Sequence, residues 1–75
     1  MMTIAEATQT VLKEKGHPMK VNEIYEEIMR RNLYSFGAKN PKSVLSQTIR
    51  SKSTANSKAL QPLFRQVSQS TYELI

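Results

Sequence analysis

The sequence predicts an α+β fold in which three short helices precede a small antiparallel β-hairpin. Three observations carry this reading. Apolar residues recur at helical spacing in three separate stretches. Each of those stretches opens on a residue able to cap a helix. Two β-favouring runs, Leu63-Phe64-Arg65-Gln66-Val67 and Thr71-Tyr72-Glu73-Leu74-Ile75, close the chain around Ser68-Gln69-Ser70.

The first helix is expected over about residues 4–15. Thr3 and Glu6 form a capping box, and Ile4, Ala7, Thr8, Val11 and Leu12 follow at helical period. Gly16 supplies a stop, with Pro18 two residues beyond it. Met19-Lys20-Val21 alternates between breakers and predicts a minimal third strand over 19–21. Asn22 is the expected cap of the second helix, whose apolar stripe is Ile24, Tyr25, Ile28 and Met29. Glu23, Glu26 and Glu27 suit its N-terminal dipole, as solvated charge, and Arg30 and Arg31 suit its other end. The third helix is expected over about 41–52, with Asn40 as cap and Pro41 at the first helical position. Residues 51–61 are polar and short-chained and read as a mobile loop. In the hairpin Tyr72 and Leu74 share an inward face, while Val67 breaks alternation with Phe64, which calls for a bulge or twist. Met19 and Met29 are expected to fill gaps in the core.

Helix, short strand, helix, helix, strand, strand is the order of a winged helix–turn–helix. Seventy-five residues make one such domain, 1–75. The chain stops on an apolar strand residue, as a module of a longer protein would. There is no cysteine, so neither a disulfide nor a thiolate metal site is expected. Residues 1–20 lack the continuous apolar stretch of a signal peptide, and no run reaches the roughly 18 to 20 apolar residues that span a bilayer. The expected location is cytoplasmic or nucleoid-associated, with no membrane partner, no metal and no cofactor.

An enzymatic reading finds no support. The chain has no aspartate, one histidine and six glutamates. A metal-dependent nuclease needs clustered carboxylates, and a triad needs an acid and a nucleophile around its histidine. His17 sits in a Gly-His-Pro turn with neither. The two glycines, Gly16 and Gly37, make no phosphate-cradling loop. Tyr25, Tyr34, Phe36, Phe64 and Tyr72 could stack on bases, but each neighbours other apolar residues and core packing is the default, with Tyr34 left open.

Charge is the informative quantity. The net +5 divides into −2 over residues 1–29 and +7 over residues 30–75, and no acid lies between residues 38 and 72. Such asymmetry suits a polyanionic partner. On the third helix Val44, Leu45, Thr48 and Ile49 fall on one side. Lys42, Ser43, Ser46, Gln47 and Arg50 fall on the other, a cationic, amide and hydroxyl face with no carboxylate. That face can approach phosphates and offer hydrogen bonds to base edges. Lys39 precedes the helix, and Arg65 and Gln69 ride on the hairpin. Lys39, Lys42, Ser43, Ser46, Gln47, Arg50, Arg65 and Gln69 are therefore the expected duplex-DNA contacts, with the helix in the groove and the hairpin beside the backbone.

Gly16-His17-Pro18-Met19, Glu23-Ile24, Ile28, Leu33, Lys39-Asn40-Pro41, Val44-Leu45, Ile49, Phe64 and Thr71-Tyr72-Glu73-Leu74 together resemble the HARE-type helix–turn–helix domain. The resemblance covers almost the whole chain. It implies a noncatalytic winged helix of the kind found in restriction endonucleases and DNA glycosylases, Asx-like chromatin proteins and the RNA polymerase delta subunit. Such modules are thought to link DNA binding to effector domains or to recruit protein partners. The chain departs from the family in carrying Ser68-Gln69-Ser70 where a wing glycine is common. The family's basic residues also diverge, so the DNA contacts above come from helix geometry alone. The expected function is duplex-DNA binding within a restriction, modification or transcription protein. The alternative is a protein-docking winged helix, which would expose an apolar patch around Leu33, Tyr34 and Phe36.

Overall fold

Three apolar helix faces and one apolar sheet face close on a shared core in the computed structural model, which describes residues 2–75. The elements are α1 (Ile4–Lys15), β1 (Met19–Lys20), α2 (Val21–Arg30), α3 (Pro41–Ser51), β2 (Phe64–Ser68) and β3 (Thr71–Leu74). This is the expected α+β winged-helix arrangement. The three strands are antiparallel in the order β1-β3-β2, so the last strand is central. Among the described residues no helix is long and apolar enough to cross a membrane.

The α1 capping box forms as the sequence predicts. Thr3 Oγ1 accepts from the Glu6 N–H at 3.1 Å and the Glu6 carboxylate accepts from the Thr3 N–H at 2.9 Å. Those bonds hold the Glu6 carboxyl below its ordinary range. Gly16 ends the helix at φ +70° with its N–H on the Leu12 carbonyl; the left-handed backbone, not crowding, is what requires glycine there. β1 then pairs Met19 with Tyr72 and Lys20 with Thr71.

Asn22 does not cap α2. The helix starts one residue earlier, at Val21, with Lys20 in the cap position. Its first turn is satisfied from two other sources: the Glu23 carboxylate accepts from the Lys20 N–H at 3.0 Å, and the Val21 N–H donates to the Ser70 carbonyl at 2.9 Å. A bond from the distant wing turn thus moves the helix start. β1 accordingly covers only 19–20, and Val21 turns into the core. The other end of α2 is a Schellman motif. Asn32 adopts φ +55°, its N–H donates to the Met29 carbonyl, the Leu33 N–H reaches back to the Ile28 carbonyl, and Leu33 packs on the core.

Pro41 takes the first position of α3, but Asn40 caps with no side-chain bond. Its ψ of 75° departs from the extended value that aims a capping side chain at the first turn. The helix ends at Ser51, with Lys52 as its C-cap. Leu45 and Ile49 are fully buried and Val44 and Thr48 half-buried, so α3 has the expected rotation.

The core comprises Ala7, Val11 and Leu12 of α1, Val21, Ile24 and Ile28 of α2, Leu45 and Ile49 of α3, and Met19, Phe64 and Tyr72 of the sheet. Met29 stays outside it, 48% exposed. Tyr25, on the same edge of α2, is covered by Phe36. A register shift between Gln66 and Ser68 places the bulge at Val67, where alternation fails in the sequence.

Glu27 also departs from the solvated charge expected of it. Its carboxylate meets Arg30 at 2.8 Å, Arg31 at 3.1 Å and Lys15 at 3.3 Å, while Arg31 also pairs with Glu14. This cluster ties the C-terminal ends of α1 and α2. The hydrogen bonds from Arg30, and then from Lys15, outweigh desolvation and lower the Glu27 carboxyl from 4.5 to about 2.

Two outcomes follow for stability. Leu45→Ala should cost on the order of 2 to 5 kcal/mol in urea unfolding, as for other core cavities, whereas Ser46→Ala on the same helix should stay within about 0.5 kcal/mol. The depressed Glu27 carboxyl stabilises the fold above the unfolded-state value near 4.5, and that contribution is lost as pH falls from there towards about 2. Glu27→Gln should therefore lower stability at neutral pH and flatten the acid limb of a melting-temperature profile.

Candidate nucleic-acid interface

Burial of Leu45 and Ile49 leaves Lys42, Ser43, Gln47 and Arg50 exposed along the outer side of α3, with Ser46 half-exposed between them. Among the described residues, none of these cations makes an ion pair. Two polar clefts flank the face, one at each end of the helix, and neither is lined by a carboxylate.

The cleft at the start of α3 measures about 260 Å³. Lys42, Ser43 and Ser46 form one wall, Lys20, Val21 and Asn22 a second, and Ser70 of the wing turn closes it. Lys20 arrives there because β1 pairs with β3, and Ser70 because its carbonyl holds the first N–H of α2. Lys42 Nζ lies 5.5 Å from the centre of the Tyr25 ring, close enough for a cation–π contact. Tyr25 in turn leans on Phe36 (5.6 Å), and Phe36 meets Tyr34 edge-on (4.9 Å). The aromatic residues of the α2–α3 connection thus form a half-buried brace beneath Lys42, packed against the core. That arrangement accounts for Tyr34, and it leaves Leu33, Tyr34 and Phe36 short of an exposed patch.

The cleft at the end of α3 measures about 360 Å³ and is lined by Gln47, Arg50, Ser51, Ala55, Asn56 and Ser57. The polar segment behind it is tied down, not mobile. Ser53 is fully buried, bridges to Phe64, and its hydroxyl donates to the Arg50 carbonyl at 2.8 Å while accepting from the Ala55 N–H at 3.2 Å. The Thr54 N–H donates to the Phe64 carbonyl, and the Asn56 amide donates to the Ser51 carbonyl at 2.9 Å.

The chain matches the model of the HARE-HTH family, described as a helix–turn–helix domain of ASXL and restriction endonuclease proteins, over residues 2–74. It belongs to the HARE-HTH family. That is a family of DNA-binding helix–turn–helix modules, and α2, the 31–40 connection and α3 form the helix–turn–helix of this member. No curated protein and no solved structure matches the chain.

Within this HARE-HTH chain the remaining expected contacts divide. Lys39 is exposed just before α3, and Gln69 is exposed in the wing turn. Arg65 joins neither cleft. It faces Glu73 directly across the sheet and its guanidinium lies 3.2 Å from that carboxylate. Glu73 borders the turn at Gly16–Pro18, well away from the outer face of α3. Lys20, Asn22, Ser70, Asn56 and Ser57 are cleft residues that sequence reasoning missed. For Lys20 a signal existed, since a strand at 19–21 that joins the hairpin must bring it beside the wing.

Ser53 tests whether the second cleft has a fixed wall. Ser53→Ala leaves the Ala55 N–H without its partner in a packed site, and should cost about 1 to 3 kcal/mol in chemical denaturation.

Proposed function

We propose that this module binds duplex DNA with α3 as the recognition helix and the β2–β3 hairpin as the wing, and that it has no catalytic role of its own. The observation that carries the reading is the carboxylate-free outer face of α3, bounded at both ends by polar clefts. A helix presenting Lys42, Ser43, Ser46, Gln47 and Arg50 offers phosphate contacts near its start and base-edge donors further along. The half-buried state of Leu33, Tyr34 and Phe36 weighs against protein docking through that segment. The family's description favours a role inside a restriction, modification or transcription protein, where the domain 1–75 would carry an effector to DNA.

Fluorescence anisotropy with a labelled random-sequence duplex, repeated across salt concentrations, tests the reading. A module of this size contacts about three to five phosphates, so the log–log slope should be roughly −3 to −5. Absence of binding at low salt, or a flat slope, rejects DNA as the partner. Lys42→Ala should weaken binding to all duplexes alike. Gln47→Ala and Arg50→Ala should in addition flatten the preference found by random-site selection, because a bidentate amide or guanidinium pair discriminates by about 1 to 3 kcal/mol.

A further inference from the structure

Winged helices invite the assumption that the hairpin supplies the second grip on the backbone. The charge distribution here does not favour the hairpin. Its only cation, Arg65, is matched by Glu73 across the sheet, and the turn beyond it offers only Ser68, Gln69 and Ser70. The other flank of α3 has the opposite character. Arg50 and Lys58 are both exposed and, among the described residues, neither is ion-paired.

The geometry of that flank suits an anion. A helix C-terminus ordinarily repels one through its unmet carbonyls. In α3 those carbonyls are occupied. Ile49 accepts from the Lys52 N–H, Arg50 from both the N–H and the hydroxyl of Ser53, and Ser51 from the Asn56 amide. The same bonds hold the loop in shape. The side-chain carbonyl oxygen of Asn56 accepts from the Lys58 N–H at 3.1 Å, which fixes the backbone from which the lysine projects. The Ser57 side chain takes part in none of these bonds and lines the cleft beside Arg50.

We infer that the loop 52–58 is a second phosphate-holding element, in which Arg50, Ser57 and Lys58 grip the DNA backbone at the end of α3 while the wing strand contributes no cation to binding. The inference rests on the duplex-DNA reading and adds to it where the backbone is held. Preorganisation gives the loop its advantage: a phosphate meets donors already in place, with little ordering to be done on binding. Lys52 differs although it lies in the same loop. It borders the apolar groove beside Tyr34 and the start of α1, on the side away from the cleft.

Lys52, Lys58 and Arg65 thus form a charge-matched set, since each alanine variant removes one positive charge. Their salt titrations on a labelled random-sequence duplex, with circular dichroism melts to show equal folding, test the inference. Lys58→Ala should weaken binding several-fold and reduce the salt slope by about 1. Lys52→Ala and Arg65→Ala should leave the slope where it is. Ser57→Glu, which sets a carboxylate in the cleft without breaking a loop hydrogen bond, should weaken binding more than Lys58→Ala. Equal losses for the three alanine variants would mean that only net charge matters, and would overturn the inference. So would a larger loss for Arg65→Ala, which would restore the wing as the grip. If the unmodified chain does not bind the duplex at all, the DNA reading itself fails and the loop has no phosphate to hold.

Discussion

The burial of Leu45 and Ile49 beneath α3 is the constraint from which the rest of the surface follows. Both are fully buried, and they meet the core formed by α1, α2 and the sheet. A helix has only one rotational freedom once such a pair is buried. With that angle set, Lys42, Ser46, Gln47 and Arg50 have to face outward. The chemistry of the outer face is therefore a by-product of hydrophobic packing on the inner one. Ridge packing of short helices leaves little slack in that angle, so a change in the buried pair disturbs recognition before it touches any polar residue.

A second coupling joins the wing to the helix–turn–helix. The Val21 N–H donates to the Ser70 carbonyl, and β1 pairs with β3 through Met19–Tyr72 and Lys20–Thr71. The start of α2 is thus held by the last part of the chain. Ser70 stands at φ +56°, a conformation that glycine adopts without cost and serine does not. The two-residue turn tolerates this because its carbonyl is anchored on α2. Lys20, Lys42 and Ser70 then meet at one cleft although they lie on three different elements.

How much of this was legible in the residues depends on how local each determinant is. The capping box of α1, the Gly16 stop, the period of α3 and the bulge at Val67 are encoded within a few neighbouring positions, and each is seen as expected. The start of α2 was not legible, because its first N–H is satisfied by Ser70, in the wing turn near the other end of the sequence. Asn40 looked like a capping side chain, but its role is reduced to backbone carbonyl acceptance from Ser43 and Val44. Residues 51–61 looked mobile because serine, asparagine and lysine carry no apolar pattern. Their order comes from side chains that bond the backbone, with Ser53 and Asn56 as the two anchors, a network that composition does not reveal. The outer face of α3 was legible; the two clefts beside it were not, since each is made by a non-local partner.

The placement of acids completes the picture. Glu6 and Glu23 are engaged at helix starts, Glu14 and Glu27 hold arginines at the α1–α2 junction, and Glu73 holds Arg65. Among the described residues only the glutamate at Glu26 has no such bond. Carboxylates used in this way stabilise local structure and at the same time neutralise cations on the side of the molecule away from α3. Among the described residues, the cations left without an ion pair are Lys13, Lys20, Lys39, Lys42, Arg50, Lys52 and Lys58. All but Lys13 and Lys52 lie at or beside the outer face of α3. The segregation of charge between the two parts of the sequence therefore becomes, after folding, a segregation between the two sides of the domain. A polyanion approaching it is oriented by that field before any side chain makes contact.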